Sequence, residues 1–404
     1  MSTYSQLGWV DFSSDDRERV KQVLSQLQEK GTLDELGIGR LRDAFADLLF
    51  PGFSTIQTRG KYLIIVPRLI RSYLALKPTE RKRQSLADYL KKQEDEVAKL
   101  LVKRHLEDGE TGIIGSTMVE NGGVARRPSS VYWGALRQWG IIDTSVALVQ
   151  FSREITQSET SLGMLKGEDE SDDKDALVGK HKVHLDAWVP DWLENVELNL
   201  TRSEASFLKE KMLRGAIDSV PTQLFQHNLM GNALEKQYDN FPEFSAWLCQ
   251  QSHVSEKTKE TARYAQAFSE LIYGAHIRFN CLLAERNQQH SRLMAHRNDW
   301  NLWVDSIQLE QEDCVDIWLK HTEVRLSDYT DRFLKAWYKA IHTKAPVQML
   351  DRLVEQQCKD NKKQRSILQK RLTQDIEWFG MSRLNYRWAQ VRVILGDIQK
   401  GLEC

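Results

Sequence analysis

The sequence predicts a mainly α protein. Helix breakers are sparse, with 8 Pro and 22 Gly among 404 residues, against roughly 5% and 7% in average usage. Apolar residues recur at the three- and four-residue spacing of one helix face, as Tyr264, Phe268, Leu271, Ala275, Phe279 and Leu282 do. Capping side chains precede such series, as Thr201 and Glu204 precede Ala205, Leu208 and Met212. With 41% hydrophobic and 28% charged residues, the chain can bury a large core and is not mostly disordered. Its net charge is −1, from 56 Lys and Arg against 57 Asp and Glu. That balance excludes a globally basic coat or an acidic tail-like chain.

The elements follow in order. Ser13-Ser14-Asp15-Asp16 is a capping-type start ahead of Val20, Val23, Leu24 and Leu27. Thr32 and Glu35 form a second capping box, and Leu41, Phe45 and Leu48 mark a helix ended by Pro51-Gly52. Phe53 to Leu74 predicts a helix kinked at Pro67. A polar helix is expected over Arg81 to His105 and a loop over Gly109 to Gly123. A short helix then carries Tyr132, Leu136 and Trp139, and Gly140 stops it before an extended Ile141-Ile142. Between Glu168 and Asp175 stand six acids and one Lys, the composition of a solvated linker. The last helix holds Leu384, Trp388, Val391, Leu395 and Ile398, with Gly401 at its expected stop. The expected organisation has three parts. Residues 1–157 form an N-terminal α or α+β module with a basic segment and a winged-helix-like element within Gly109 to Ile142. Residues 158–183 are an acidic flexible linker, and residues 184–404 an all-α helical bundle.

The longest apolar run, Tyr62 to Val66, stops at Pro67 and falls short of the ~20 residues that span a bilayer. Met1 to Val10 lacks the basic start and apolar stretch of a signal peptide. The five cysteines, Cys249, Cys281, Cys314, Cys358 and Cys404, are widely spaced and form no C-x-x-C. A cytoplasmic protein with reduced thiols and no membrane partner is expected.

Motifs that organise chemistry are few. The P-loop signature, H-E-x-x-H and G-x-S-x-G are absent from the sequence. Gly112-Ile113-Ile114-Gly115 has the letters of a phosphate-clamping loop, yet Asp108 and Glu110 beside it would repel phosphate, so a plain turn is expected. His181, His184 and Asp186 could contribute to a metal site only with ligands from elsewhere. Glu80 and Lys82 match the E-x-K of nuclease cores, but at a helix start rather than on a strand. Neither set is strong enough to name a catalytic residue, a metal ligand or a cofactor, and none is expected. The tryptophans Trp300, Trp303, Trp318, Trp337, Trp378 and Trp388 sit at helical apolar positions and are expected in the core or at interfaces.

Charge is distributed unevenly. From Arg59 to Arg104 there are 13 bases against five acids, a local excess of +8. Arg126 and Arg127 add a pair just before a capped helix. A concentrated positive patch attracts phosphate through counterion release. Arg59, Lys61, Arg81, Lys82, Arg83, Arg126 and Arg127 are therefore the expected nucleic-acid contacts. The alternative is a solvated helix or a surface for an acidic protein partner.

Several blocks together resemble a known family. They are Ser54 to Tyr62 (STIQTRGKY), Val66-Pro67, Gly112 to Gly115, Pro128 to Leu136 (PSSVYWGAL) and Trp139 to Ile141. Leu200-Thr201 with Glu204-Ala205, Gly274 to His276, Leu283 to Glu285, Leu384 to Trp388 and Gly396 to Ile398 follow in the same order. The chain resembles an uncharacterised bacterial family whose members are often encoded in anti-phage defence islands, beside helicase and phospholipase-D-type nuclease genes. The resemblance carries no activity and no catalytic residues. The local excess of +8, the twelve Trp and the lack of a motif that could organise a transition state lead to the expectation of a non-enzymatic scaffold or adaptor subunit of such a defence system, contacting other defence proteins, such as a helicase or nuclease, with DNA as a further partner. A cryptic metal-dependent nuclease using His181, His184 and Asp186, or Glu80 and Lys82, is the alternative expectation.

Overall fold

The structure, a computed structural model, describes residues 34–105, 109–116, 126–157, 176–178, 181–187, 189, 191–236, 238, 240–308, 314–371 and 377–404. The expected helix over Val20 to Leu27, the glycines 122 and 123, and the acids of Glu168 to Asp175 lie outside them. Among the described residues are sixteen α-helices and three short strands, so the protein is mainly helical.

In chain order the first elements are α1 (Gly39–Leu49), α2 (Tyr62–Ala75), α3 (Pro78–Arg81), α4 (Leu86–His105) and α5 (Pro128–Gln138). Next come β1 (Ile142–Asp143), α6 (Leu148–Gln157), β2 (Ala176–Val178) and β3 (His181–Val183). The helices α7 (Arg202–Gly215), α8 (Val220–Gln226), α9 (Met230–Glu235), α10 (Phe241–Cys249) and α11 (Glu256–Arg286) follow. The chain closes with α12 (His290–Ser306), α13 (Cys314–Thr322), α14 (Asp328–His342), α15 (Val347–Lys362) and α16 (Trp388–Glu403). No helix among the described residues is long and apolar enough to cross a membrane.

The chain divides into two compact units, residues 1–42 with 267–384 and residues 43–266 with 385–404. This differs from the expected division at the acidic stretch. Composition marks where a chain is soluble, whereas compactness is decided by which helices share a core. The last twenty residues pack with 43–266, a pairing that local sequence does not announce.

In the unit of residues 1–42 and 267–384, α14 packs on α15. Trp337 is fully buried and donates its indole N–H to the Leu271 carbonyl at 3.0 Å. Glu35, expected in a capping box with Thr32, instead accepts from Ser366 Oγ at 2.7 Å and from the Ile367 amide at 3.2 Å. Trp303 packs against α11, where a Cβ at Gly274 would stand 2.3 Å from the indole ring. Gly274→Ala is expected to destabilise the protein by about 1–3 kcal/mol through overpacking, despite the ~1 kcal/mol that Ala brings to a helix. Urea unfolding measures it; unchanged or raised stability would show that the ring yields freely.

In the unit of residues 43–266 and 385–404, α2 is buried from Tyr62 to Ile70 without a solvent-exposed face, the pattern of a central helix. Pro67 sits inside it, but the helix starts only at Tyr62, because Ser54 to Lys61 forms turns. The polar helix expected over Arg81 to His105 starts later, at Leu86, as α4, and Arg81 is the last residue of α3. Thr201 and Glu204 make the expected capping box of α7. Strands β1 and β2 flank β3 in an antiparallel sheet, pairing Ile142 with Val183 and Leu177 with Lys182. The end of the expected linker is therefore built into a sheet. Gly401 does not stop the last helix, which runs to Glu403. A Cβ there would stand 2.8 Å from the Ala205 Cβ, so glycine allows α16 to approach α7 closely.

Candidate functional site

Two charged assemblies stand out in the unit of residues 43–266 and 385–404. The first is buried. Arg59, 8% exposed, reaches Asp397 through Nε at 3.0 Å, Glu110 through Nη1 at 2.9 Å and Asn199 through Nη2 at 3.1 Å. Lys61, 3% exposed, donates to Glu204 at 2.6 Å and to the Asn199 carbonyl at 3.1 Å. Arg68 bridges Glu204 at 2.8 Å and Asp186 at 2.8 Å. Burial works to raise the Glu204 carboxyl, but the charge and hydrogen bond of Lys61, with Thr201 and Arg68, hold it below the usual carboxylate range.

The turns around this network are tied to it. Tyr132 Oη accepts from the Thr58 and Arg59 amides at 2.8 and 3.0 Å and donates to the Arg59 carbonyl at 2.8 Å. Thr58 Oγ1 donates to the Gly112 carbonyl at 2.7 Å. Gly112 has φ +85°, and a Cβ on it would stand 3.0 Å from Arg59. The G-x-x-G loop is thus a turn pressed onto Arg59.

The second assembly faces solvent. A cleft of about 600 Å³ lies between α4, the start of α5 and α6, lined by Ala87, Leu90, Lys91 and Glu94, by Arg126, Arg127 and Ser129, and by Leu148, Val149 and Arg153. Its size is that of a ligand site. The α4 residues recur at three- and four-residue intervals, so they fall on one side of that helix. Val149 is 63% exposed at its edge. Lys91, Arg126 and Arg153 are exposed, and none of them makes an ion pair with a described residue. Arg127 is half-buried and committed to Asp95 at 3.0 Å and the Lys91 carbonyl at 2.7 Å.

Glu94 lies at the floor, 1% exposed. Its Oε1 accepts from the Ser129 amide, in the first turn of α5, at 2.6 Å. Its Oε2 is buried without a hydrogen-bond partner. Burial pushes this carboxyl up to about 7, against the lowering pull of the Ser129 hydrogen bonds and the Arg127 charge. An unsatisfied carboxylate oxygen in an apolar floor costs free energy unless a donor or a proton reaches it.

The residues expected to hold nucleic acid are distributed over both assemblies and the end of α3. Arg59 and Lys61 are not surface cations: they are sealed in internal ion pairs, which corrects that expectation for these two. Arg81 is half-buried at the end of α3, and Lys82 and Arg83 are exposed beyond it. Arg126 and Arg127 line the cleft. His181 and Asp186 are held apart by different partners. His181 Nε2 meets Glu154 at 2.8 Å and Nδ1 meets Thr144 Oγ1 at 2.9 Å, while Asp186 is bound to Arg68. Glu80 accepts from the Lys77 amide at 3.1 Å as an exposed cap. No three His, Cys, Asp or Glu side chains among the described residues are grouped to hold a metal ion.

Sequence reasoning missed Glu94 and Arg153. A signal for Glu94 was present: Leu86, Leu90, Glu94, Val97 and Leu101 recur at intervals of four and three, so one acid occupies an apolar register.

No curated protein and no solved structure matches the chain. The model of a family described as "Family of unknown function (DUF6361)" matches residues 4–400, and since that is nearly the whole chain, the protein belongs to this family.

Proposed function

We propose that the chain is a non-enzymatic adaptor subunit of a bacterial anti-phage defence assembly, and that its cleft receives an acidic, apolar segment of a partner protein. One observation carries the reading: the cleft is lined by Leu90, Leu148 and Val149 together with Lys91, Arg126 and Arg153, three exposed cations without an ion-pair partner among the described residues. An acidic segment would supply the missing counter-charges while its apolar side chains cover Leu90, Leu148 and Val149. The internal cations Arg59, Lys61 and Arg68 support the same reading, because their carboxylate partners hold helices together and leave them unavailable for chemistry at the surface. The defence setting rests on the family resemblance.

The test is a titration of a labelled, glutamate-rich peptide with an apolar centre. Replacing Lys91, Arg126 and Arg153 together by Glu is expected to weaken binding about tenfold or more, since like charges then face each other, with an unchanged melting temperature. Equal affinity for both proteins would refute the reading. Duplex DNA contact is the second reading, favoured by the exposure of Lys82, Arg83 and Arg126. The same titration with a DNA duplex at two salt concentrations separates the two ligands.

A further inference from the structure

We infer that the segment docking in the cleft anchors there through a tryptophan whose indole N–H is accepted by Glu94 Oε2. The inference rests on the cleft being a docking site for an acidic segment and goes further by naming the side chain at its floor.

The argument starts from Glu94. Its Oε1 is already engaged by the Ser129 amide at 2.6 Å, whereas Oε2 is buried without a hydrogen-bond partner, on a residue that lines the cleft. The burial of this oxygen without a donor already costs free energy in the free protein, and an occupant that brings a donor to Oε2 removes that cost. The surrounding Leu90, Leu148 and Val149 ask for an apolar body. Asn and Gln bring a carbonyl that would itself need a donor, and Ser brings little apolar surface. Tryptophan joins a large apolar body to a single N–H and no acceptor. Glutamates flanking it would meet Lys91, Arg126 and Arg153.

The same geometry makes binding depend on protonation. When Glu94 is neutral, Oε1 must stay an acceptor for Ser129, so the proton sits on Oε2. Two donors, the carboxyl O–H and the indole N–H, then face each other. When Glu94 is ionised, Oε2 accepts the indole. The charged or titratable groups around it are Lys91 and Asp95 on its own helix, Arg126 and Arg127 ahead of α5, Arg153 on α6 and Tyr62 on α2. In Glu94→Gln the amide oxygen is held by Ser129, so the NH₂ group points to the cleft and imitates the protonated acid at every pH.

The experiment compares three labelled peptides with the full chain, identical except for a central tryptophan, 1-methyltryptophan or phenylalanine between glutamates. Fluorescence anisotropy is read from pH 6 to pH 8, where glutamates in the peptide do not titrate. The tryptophan peptide is expected to bind more tightly as pH rises, with an advantage of about tenfold at pH 8, the size of one charge-assisted hydrogen bond. The other two peptides are expected to lack that advantage, and Glu94→Gln to abolish it. If all three bind equally to wild type and all weaken on reversing Lys91, Arg126 and Arg153, the tryptophan anchor is refuted while the docking site stands. If none binds, the docking site falls and the anchor with it. A tryptophan advantage that survives in Glu94→Gln also refutes the anchor.

Discussion

Replacing Lys61 by Ala is expected to destabilise the protein by about 3–5 kcal/mol, the cost of removing one partner from a buried ion pair. The Lys61 ammonium is 2.6 Å from Glu204 and 3.1 Å from the Asn199 carbonyl. Side-chain exposures are 4% for Lys61 and 2% for Glu204, so water cannot replace the lost donor. Arg68 remains on the other carboxylate oxygen at 2.8 Å, and Thr201 still donates its amide to Glu204 at 2.9 Å. These contacts keep the variant folded, but one charge-assisted hydrogen bond and one countercharge are gone. Urea unfolding checks the loss. Adding Glu204→Gln to Lys61→Ala should cost less than the sum of the two single changes, since the second change removes the stranded charge. Strict additivity, or a single-variant loss below about 1 kcal/mol, would mean that the pair is solvated and behaves as a surface bridge.

Glu94 is expected to make the protein less stable as pH rises from about 5 to 8. Its carboxyl has an ordinary value of 4.5 and is raised to about 7 in the folded chain by burial, with the Ser129 hydrogen bonds opposing. Between those values the folded state holds a proton that the unfolded state has released, so raising the pH favours unfolding. Below 4.5 both states are protonated and the group contributes no slope. Glu94→Gln keeps the acceptor for Ser129 and removes the titration. The variant and the wild type should therefore match near pH 4, and the variant should be more stable at pH 8 by on the order of 3 kcal/mol. Unfolding curves of both proteins across this range measure the difference directly. A constant difference would show that the carboxyl titrates at its ordinary value in the fold.

This liability also bears on function. A buried acid that lowers stability at neutral pH is poor core design, and a leucine in its register would pack without penalty. Its position at the base of an open, cation-rimmed cleft accounts for the cost if an incoming donor removes it. The pH-dependent stability of the free protein and the pH-dependent affinity for tryptophan would then share one group, with opposite signs.

Much of the helical layout is legible in the residues themselves. Thr201 and Glu204 form the N-terminal cap because both reach orphan amides of the first turn, a local interaction that needs no partner segment. Pro128 and Gly140 bracket α5 for equally local reasons, the fixed φ of proline and the positive φ of +60° at Gly140. Most of the tryptophans singled out are in cores, with Trp303, Trp318, Trp337 and Trp388 at most 2% exposed, because no other position buries so large an apolar ring. Gly401 was misread because a helix stop and a close helix approach place the same demand, a missing Cβ, on one residue.

The basic stretch shows where local reading ends. Arg59 and Lys61 carry the same charge as Lys82 and Arg83, and a count of cations treats them alike. Burial separates them, since Asp397 and Glu204 lie more than a hundred residues away in sequence and only the fold brings them to within 3.0 Å of Arg59 and Lys61. Desolvated ions persist only where opposite charges meet them, so the acids that a sequence count leaves unassigned decide which bases stay on the surface. Sequence by itself determined the helical class, the caps and the identity of the core aromatics, because spacing, propensity and hydrophobicity act over a few residues. Tertiary structure alone decided the division into two units, the sealing of Arg59 and Lys61 and the cleft around Glu94, because each depends on distant segments excluding water from the same place.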